Sequence, residues 1–362
     1  MSPGGPDMSE ELSLSRRRFL GGAAAGLGVL VGGSTLLAAC GDSDDSSSDE
    51  EGSGSGDGPL TTVNFQLSWL DSVQFGGSYI AAERGYYEAN GLDVTLTPGG
   101  PNAPVDPPVI AGQAVMGISA ADFAGRSAAE GAPFKIVGVA MQKNPFVIAS
   151  LTENPVNVPA DMEGKRLGMA AINQPVLDAL AAFNGFDASA VEVIPTQYDP
   201  APLVNGEVEC LLCWLTDLPV AMTTNGVGNT TLLLADYGYT VHSQTYIVTE
   251  DTLENDREPA LALLRGEILG WQEYRSDTDA AAQLTVDRFP DLGLDLAAQE
   301  LQASEQLKLM FSDDTDENGF LWFTDESVEN NVSTLAQLGV EVTPDLWDRS
   351  LLEEIFADGP TI

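Results

Sequence analysis

Aromatic, amide and carboxylate side chains recur in this sequence just after short apolar runs, where a strand would end and a loop begin. Trp69 follows the run 63–67, and Ser119 closes the run 115–119 with Asp122 just beyond it. Asn144 follows 134–142, Tyr198 follows 191–194, and Trp214 and Asp217 follow 208–212. Asn173 and Gln174 stand before Pro175 at the start of a helical pattern, and Phe75 heads an earlier one. Ligands of open α/β sheets sit beyond the carboxyl ends of the strands. The chemistry these residues offer there is capture rather than bond breaking. Rings of Trp69, Tyr198 and Trp214 can stack on a planar molecule, and Asp217 or Asp199 can accept a hydrogen bond from a ring N–H or an amine. Ser119 and the free N–H groups beside it can hold a polar ligand group. Each residue also has a plainer role. Trp69 can pack under the first helix, Asp122 can be first-turn charge, and Asn173-Gln174-Pro175 is ordinary capping grammar.

Two further patterns carry chemistry on their face. Glu209-Cys210-Leu211-Leu212-Cys213-Trp214 contains a CxxC, but there is no second pair, and the single histidine, His242, lies outside any recognisable motif. Apolar neighbours favour two buried thiols in or near a strand, with a local disulfide as the alternative in an oxidising location. Residues 314–325 match a twelve-residue calcium loop: Asp314, Asp316 and Asn318 at positions one, three and five, Gly319 at six, Leu321 at eight and Asp325 at twelve. The departure is Asp at twelve, where Glu normally grips with both oxygens. The alternative is an acidic turn in an acidic chain. A structural calcium is the one cofactor the sequence offers.

The chain has 362 residues and a net charge of −40, from 55 Asp and Glu against 15 Lys and Arg. Such a surface repels nucleic acid and anionic membrane surfaces. It disfavours anionic ligands weakly, since salt screens the field over about 8–10 Å.

The first forty residues read as an address. Ser15-Arg16-Arg17-Arg18-Phe19-Leu20 is a twin-arginine pattern, an uncharged Gly/Ala-rich run follows, and Leu37-Ala38-Ala39-Cys40 ends it as a lipobox would. Cys40 is then the lipidated first residue of an exported protein anchored on the outer face of the cytoplasmic membrane. Residues 40–59 form an acidic Ser/Gly tether without large apolar residues, unable to offset the entropy of ordering.

The body from about residue 60 alternates strand and helix patterns twice, then turns to long amphipathic helices after Glu258. The expected class is α/β with largely parallel sheets in two lobes. Ser68-Trp69, then 75–87 (Phe-Gly-Gly-Ser-Tyr-Ile-Ala-Ala-Glu-Arg-Gly-Tyr-Tyr), Gly91-Leu92-Asp93-Val94, 109–117, 162–168 and 319–322 together resemble the NMT1/THI5-like solute-binding proteins. The resemblance implies a bilobed type II periplasmic binding protein fold that hands its solute to an ABC permease and ATPase. It places hinge crossings near 146–150 and 244–249, lobe one at 60–148 plus 246–362, and lobe two at 149–245. It also places ligand contacts at Asn173-Gln174-Pro175. Family ligands include thiamine pyrimidine precursors and riboflavin, with nitrate, sulfonate and taurine binders as relatives. The strand-end aromatics favour a planar heterocycle. Few cations fall at these loops, Lys143 and Arg126 being nearest, which lowers the anion alternative; helix N-termini alone can still hold an anion. The fungal pyrimidine synthases of the superfamily use a Cys-rich motif, iron and a reactive His. This chain lacks that set, so no catalysis is expected. A clamp needs no second copy to close, and a monomer is expected.

Overall fold

The computed structural model describes residues 59–100 and 103–362, so the twin-arginine run, Cys40 and nearly all of the tether lie outside the described residues. Ten strands follow in chain order: β1 Thr61–Gln66, β2 Leu92–Thr97, β3 Met116–Ala120, β4 Phe134–Met141, β5 Phe146–Leu151, β6 Arg166–Met169, β7 Glu192–Pro195, β8 Cys210–Trp214, β9 Asn229–Leu233 and β10 Ser243–Thr249. They form two five-stranded sheets, ordered β2-β1-β3-β10-β4 and β7-β6-β8-β5-β9. The two orders share one plan. In each, a single strand runs against its neighbours: β10 against β3 and β4, and β5 against β8 and β9. These are the two strands that arrive from the other lobe. A chain entering a lobe from the cleft side must run opposite to strands that end at the cleft.

The sheets are therefore mixed, and the crossings fall earlier than expected. β5 belongs wholly to the second sheet and β10 wholly to the first, because both are paired along their length. The linking segments are 142–145 and 238–242, not 146–150 and 244–249. Lobe one is 59–141 with 243–362, and lobe two is 146–237.

One side chain ties the two crossings together. Asn144 is buried; its Nδ2 donates to the Val241 carbonyl at 2.8 Å and to Ser243 Oγ at 3.1 Å, while its Oδ1 accepts from the Phe146 N–H at 3.0 Å. The second crossing is also held from lobe one: Asn331 Nδ2 donates to the Thr240 carbonyl at 2.6 Å, and the Thr240 and Thr334 hydroxyls are 2.7 Å apart.

Lobe one is cross-braced by a buried carboxylate. Glu267, in the 20-residue helix Arg257–Ser276, accepts from Ser78 Oγ at 2.9 Å, Tyr246 OH at 2.5 Å, Trp271 Nε1 at 3.2 Å and from Tyr87 OH. It thereby joins β10 to three helical segments. Burial raises its pKa, and the donated hydrogen bonds oppose that rise. The helix Gly76–Glu83 crosses this one closely; a Cβ on Gly77 would stand 2.2 Å from Trp271 Cδ2. That is the packing reason for the Gly-Gly pair after Phe75. Phe75 itself has no exposed surface and belongs to the core, so it does not face the cleft.

Asn144→Ala leaves the buried Val241 carbonyl and the partly buried Phe146 N–H without this partner, and it should cost about 2–4 kcal/mol in chemical denaturation. A loss under about 0.5 kcal/mol, the range of an ordinary surface change, would show that the staple is not holding the crossings.

Candidate ligand cleft

The carboxyl ends of β1 and β3, the end of β4 and the start of β10 lie on one edge of the first sheet. The ends of β6, β7 and β8 lie on one edge of the second. Both crossings leave from these edges, so the edges face each other across the hinge.

Trp69, half-buried after β1, meets Tyr198, after β7, with ring centroids 5.9 Å apart and planes tilted by 56°. One ring belongs to each lobe. The Tyr198 side is 63% exposed, so the pair stands at the mouth. Behind it a cavity of about 210 Å³ is lined by Phe146, Asn173, Thr196, Tyr198, Cys213 and Leu218, among others. Trp214 lies edge-on to Phe146 at 6.4 Å, and Phe146 is edge-on to Tyr239 at 6.1 Å. Trp214 thus backs the cavity wall through Phe146 and does not join Trp69 and Tyr198 in one stack.

Asp217 stands next to the cavity, one residue before Leu218 of its lining and near Tyr198 and Cys213. It precedes the helix Leu218–Thr224, but its side chain makes no cap hydrogen bond to it. Loss of water around the carboxyl pushes its pKa up to about 6. Removal from water raises the Tyr198 hydroxyl, and the nearby Asp217 raises it further. Asp217 is thus a carboxylate beside the cavity with no ion-pair partner among the described residues.

The other expected residues are placed as follows. Asn173 lines the cavity. Gln174 turns along its own helix, donating to Asp178 Oδ1 at 2.9 Å. Ser119 Oγ donates to Asp106 Oδ1 at 3.4 Å, and Ser127 donates to the other oxygen, so this serine is engaged within lobe one. Asp122 is in the first turn of the helix Ala121–Ala129; burial raises its pKa and Arg126 opposes the rise. Asn144 spends its amide on the crossings rather than on the cleft. Phe146, Thr196 and Leu218 line the cavity without being among the expected residues. Thr196 and Leu218 follow strand ends and were open to the same reasoning, whereas Phe146 carries only an apolar strand pattern.

The calcium-loop expectation does not match the geometry. Residues Asp313–Asn318 form a helix capped by Ser312, and Asp325 begins the next one. On a helix Asp314 and Asn318, four residues apart, share a face, while Asp316, two from each, turns to the other side, so the three do not converge. Arg275 takes Asp316 at 2.6 Å and Arg349 takes Asp325 at 2.7 Å. Among the described residues no group of three or more His, Cys, Asp or Glu is placed to hold a metal ion. A larger groove of about 440 Å³, lined by Asp325, Trp347 and Arg349 among others, lies away from the strand ends, and its Arg349 is already paired with Asp325 and Glu353. Cys210 and Cys213 are free and buried in β8, and burial pushes the Cys210 thiol up to about 12 and the Cys213 thiol higher. His242 is buried, accepts from Trp347 Nε1 at 3.2 Å, and is pushed down to about 3 by burial.

The NMT1/THI5-like family model matches residues 72–281. The chain belongs to the NMT1/THI5-like family. It is 24% identical over 275 residues to the riboflavin-binding protein RibY of Chloroflexus aurantiacus, covering 74% of this chain and 77% of that one. It is 23% identical over 272 residues to the formylaminopyrimidine-binding protein of Halalkalibacterium halodurans, covering 73% and 81%. Among solved structures it resembles the periplasmic aliphatic sulphonate binding protein SsuA of Escherichia coli, with a TM-score of 0.59 and 15% identity over 79% of this chain and 92% of that one. This last likeness establishes the bilobed α/β periplasmic binding protein fold.

Asp217→Asn should stabilise the ligand-free protein. The folded carboxyl titrates near 6 and an unfolded one near about 3.9. The folded state therefore bears the cost of a desolvated charge above pH 6, and sheds that cost as pH falls toward 4. The gain for Asn should be about 1–2 kcal/mol above pH 7 and close to nothing near pH 4. Equal gains at both pH values in thermal melts would contradict this placement of Asp217.

Proposed function

We propose that this solute-binding protein of the ABC-importer type captures a small planar heterocycle bearing N–H groups, of the single-ring pyrimidine kind, between Trp69 and Tyr198. The observation that carries this reading is the meeting of those two rings, one from each lobe, beside an unpaired carboxylate. A ring sandwiched between two aromatic faces needs them roughly 7 Å apart, twice the contact distance of carbon atoms. The rings now touch at 5.9 Å, so a small parting of the lobes admits a planar ligand. A cavity of about 210 Å³ suits one ring better than a fused tricycle, since pockets for drug-sized ligands measure roughly 300–1,000 Å³. The formylaminopyrimidine binder among the relatives is consistent with that size, and the riboflavin binder shows that the family also takes larger planar rings.

A sulfonate or nitrate-type anion is the second reading, favoured only by the fold of the sulfonate binder. Against it, no Lys or Arg lines the cavity, and Lys143, the nearest by sequence, is paired with Asp236 at 2.8 Å. A catalytic role finds no support in the sole histidine or in the two buried thiols, which are kept neutral by burial. The same proposal includes twin-arginine export, lipid attachment at Cys40, delivery to an ABC permease and ATPase, and action as a monomer. It rests there on the N-terminal motifs and the family. No helix among the described residues is long and apolar enough to cross a membrane.

Calorimetric titration with formylaminopyrimidine, riboflavin and taurine tests the ligand class. Formylaminopyrimidine should bind, and at a hundredfold excess over Kd it should add about 2.7 kcal/mol of stability. Trp69→Ala and Tyr198→Ala should each weaken it by about threefold to tenfold. Affinity should fall as pH drops through 6, where Asp217 loses its charge, and Asp217→Asn should flatten that profile. Binding of taurine alone, insensitive to both ring deletions, would refute the heterocycle reading. In cells, Cys40→Ser should move the protein from the membrane to the soluble fraction; an unchanged distribution would refute the lipid anchor.

A further inference from the structure

The least expected residue at the cleft edge is Gln244. It is the second residue of β10, where that strand meets the end of β3. Ser243 pairs with Ala120 and Thr245 with Ser119, so Gln244 is the extra residue of a β-bulge. Its φ is +47°, one of two positive values at non-glycine residues among those described. Bulges of this kind favour glycine at such a position, because a Cβ crowds the following carbonyl there. Here the position holds a long amide that is 1% exposed, and neither Nε2 nor Oε1 has a hydrogen-bond partner.

Strained backbone and an orphaned amide are each costly, and their coincidence is a recognised mark of a functional position. The location agrees. Thr245 Oγ1, the next residue, and Thr216 Oγ1, beside Asp217 on the facing lobe, are also buried and unpartnered. The cleft edges of both lobes thus hold hydrogen-bonding groups with nothing in the protein to satisfy them.

We propose that Gln244 reads the solute through its side-chain amide, giving one donor and one acceptor to a ligand edge that carries an acceptor beside a donor. A ring nitrogen next to an exocyclic amine has that pattern, as does a ring N–H next to a carbonyl. This rests on the heterocycle reading above and adds what selects among heterocycles: the paired edge. Sequence pattern alone shows Gln244 as the middle of three polar residues, Ser243 to Thr245, that begin the strand, and its backbone conformation has no signature in the residue type.

The test compares the purified full chain with Gln244→Met and Gln244→Gly. Met keeps the volume and removes both polar atoms; Gly also relieves the backbone. Each is read by the melting temperature without ligand and by the Kd for formylaminopyrimidine, with riboflavin and taurine in parallel. The expected result is a melting temperature at or above that of the parent, with the Kd for the bound heterocycle weakened about tenfold or more. Opposite movement of stability and affinity is what a structural role cannot produce. An unchanged Kd would overturn the assignment while leaving the heterocycle reading intact, and so would a lowered melting temperature with unchanged Kd, the result expected of an amide held by internal water. If Met does not fold, Gly, at home at positive φ, decides alone. Should the parent bind taurine and neither heterocycle, the heterocycle reading and the paired edge fall together; Gln244 remains a ligand contact only if taurine binding weakens comparably. A parent that binds none of the three overturns both.

Discussion

Two chain segments join the lobes, and the hydrogen bonds of Asn144 hold those segments to each other. Its amide reaches the second crossing at Val241 and Ser243 while receiving the N–H that starts β5. Asn144, Val241 and Ser243 are buried and Phe146 partly so, which leaves little water to replace a lost partner, and an unmet hydrogen bond in such a place is expensive. The staple sets how far each sheet edge stands from the other. Everything offered to a solute, from Trp69 on one side to Tyr198 and Asp217 on the other, depends on that spacing. The reversed directions of β5 and β10 follow from the same constraint, since each enters its lobe from the stapled hinge.

Rigidity elsewhere supports movement there. Lobe one is braced by Glu267 and its four donors, and its helix Arg257–Ser276 packs on the helix Gly76–Glu83 so closely that only glycine fits at Gly77. Thr240 is fastened to the helix Asp325–Gln337 of that lobe. The free parts are the mouth and the polar groups at the strand ends. Electrostatics points the same way as geometry. A strongly acidic chain with an unpaired, desolvated carboxylate beside its cavity, and no cation lining it, suits a neutral or protonated donor better than an anion.

Much of this was legible in the residues. Alternating strand and helix patterns gave the α/β class, because both sheets are built from short apolar runs closed by loops. Strand-end placement was enough to select Asn173 and Tyr198, which the structure puts on the wall of one cavity, and Trp69, whose ring meets that of Tyr198. The failures have physical causes. Phe75 reads like a ring at a helix head, yet the glycines after it draw that helix against Trp271 and bury it. Asn144 stands where a ligand contact would stand, but the hinge uses its amide. Residues 314–325 have calcium spacing, but spacing does not distinguish a loop from a capped helix, and Ser312 caps one. The crossings lie several residues before the apolar runs that suggest them, because an apolar strand looks alike whether it spans lobes or pairs within one. The strained backbone of Gln244 has no trace in sequence at all.

The most direct measurement is a crystal structure of the protein grown with formylaminopyrimidine. The account predicts the pyrimidine ring between Trp69 and Tyr198, with an N–H turned to Asp217 and the two aromatic faces parted to roughly 7 Å. A ligand bound away from the facing sheet edges, or a cleft in which Trp69 and Tyr198 still touch while the solute is held elsewhere, would contradict it.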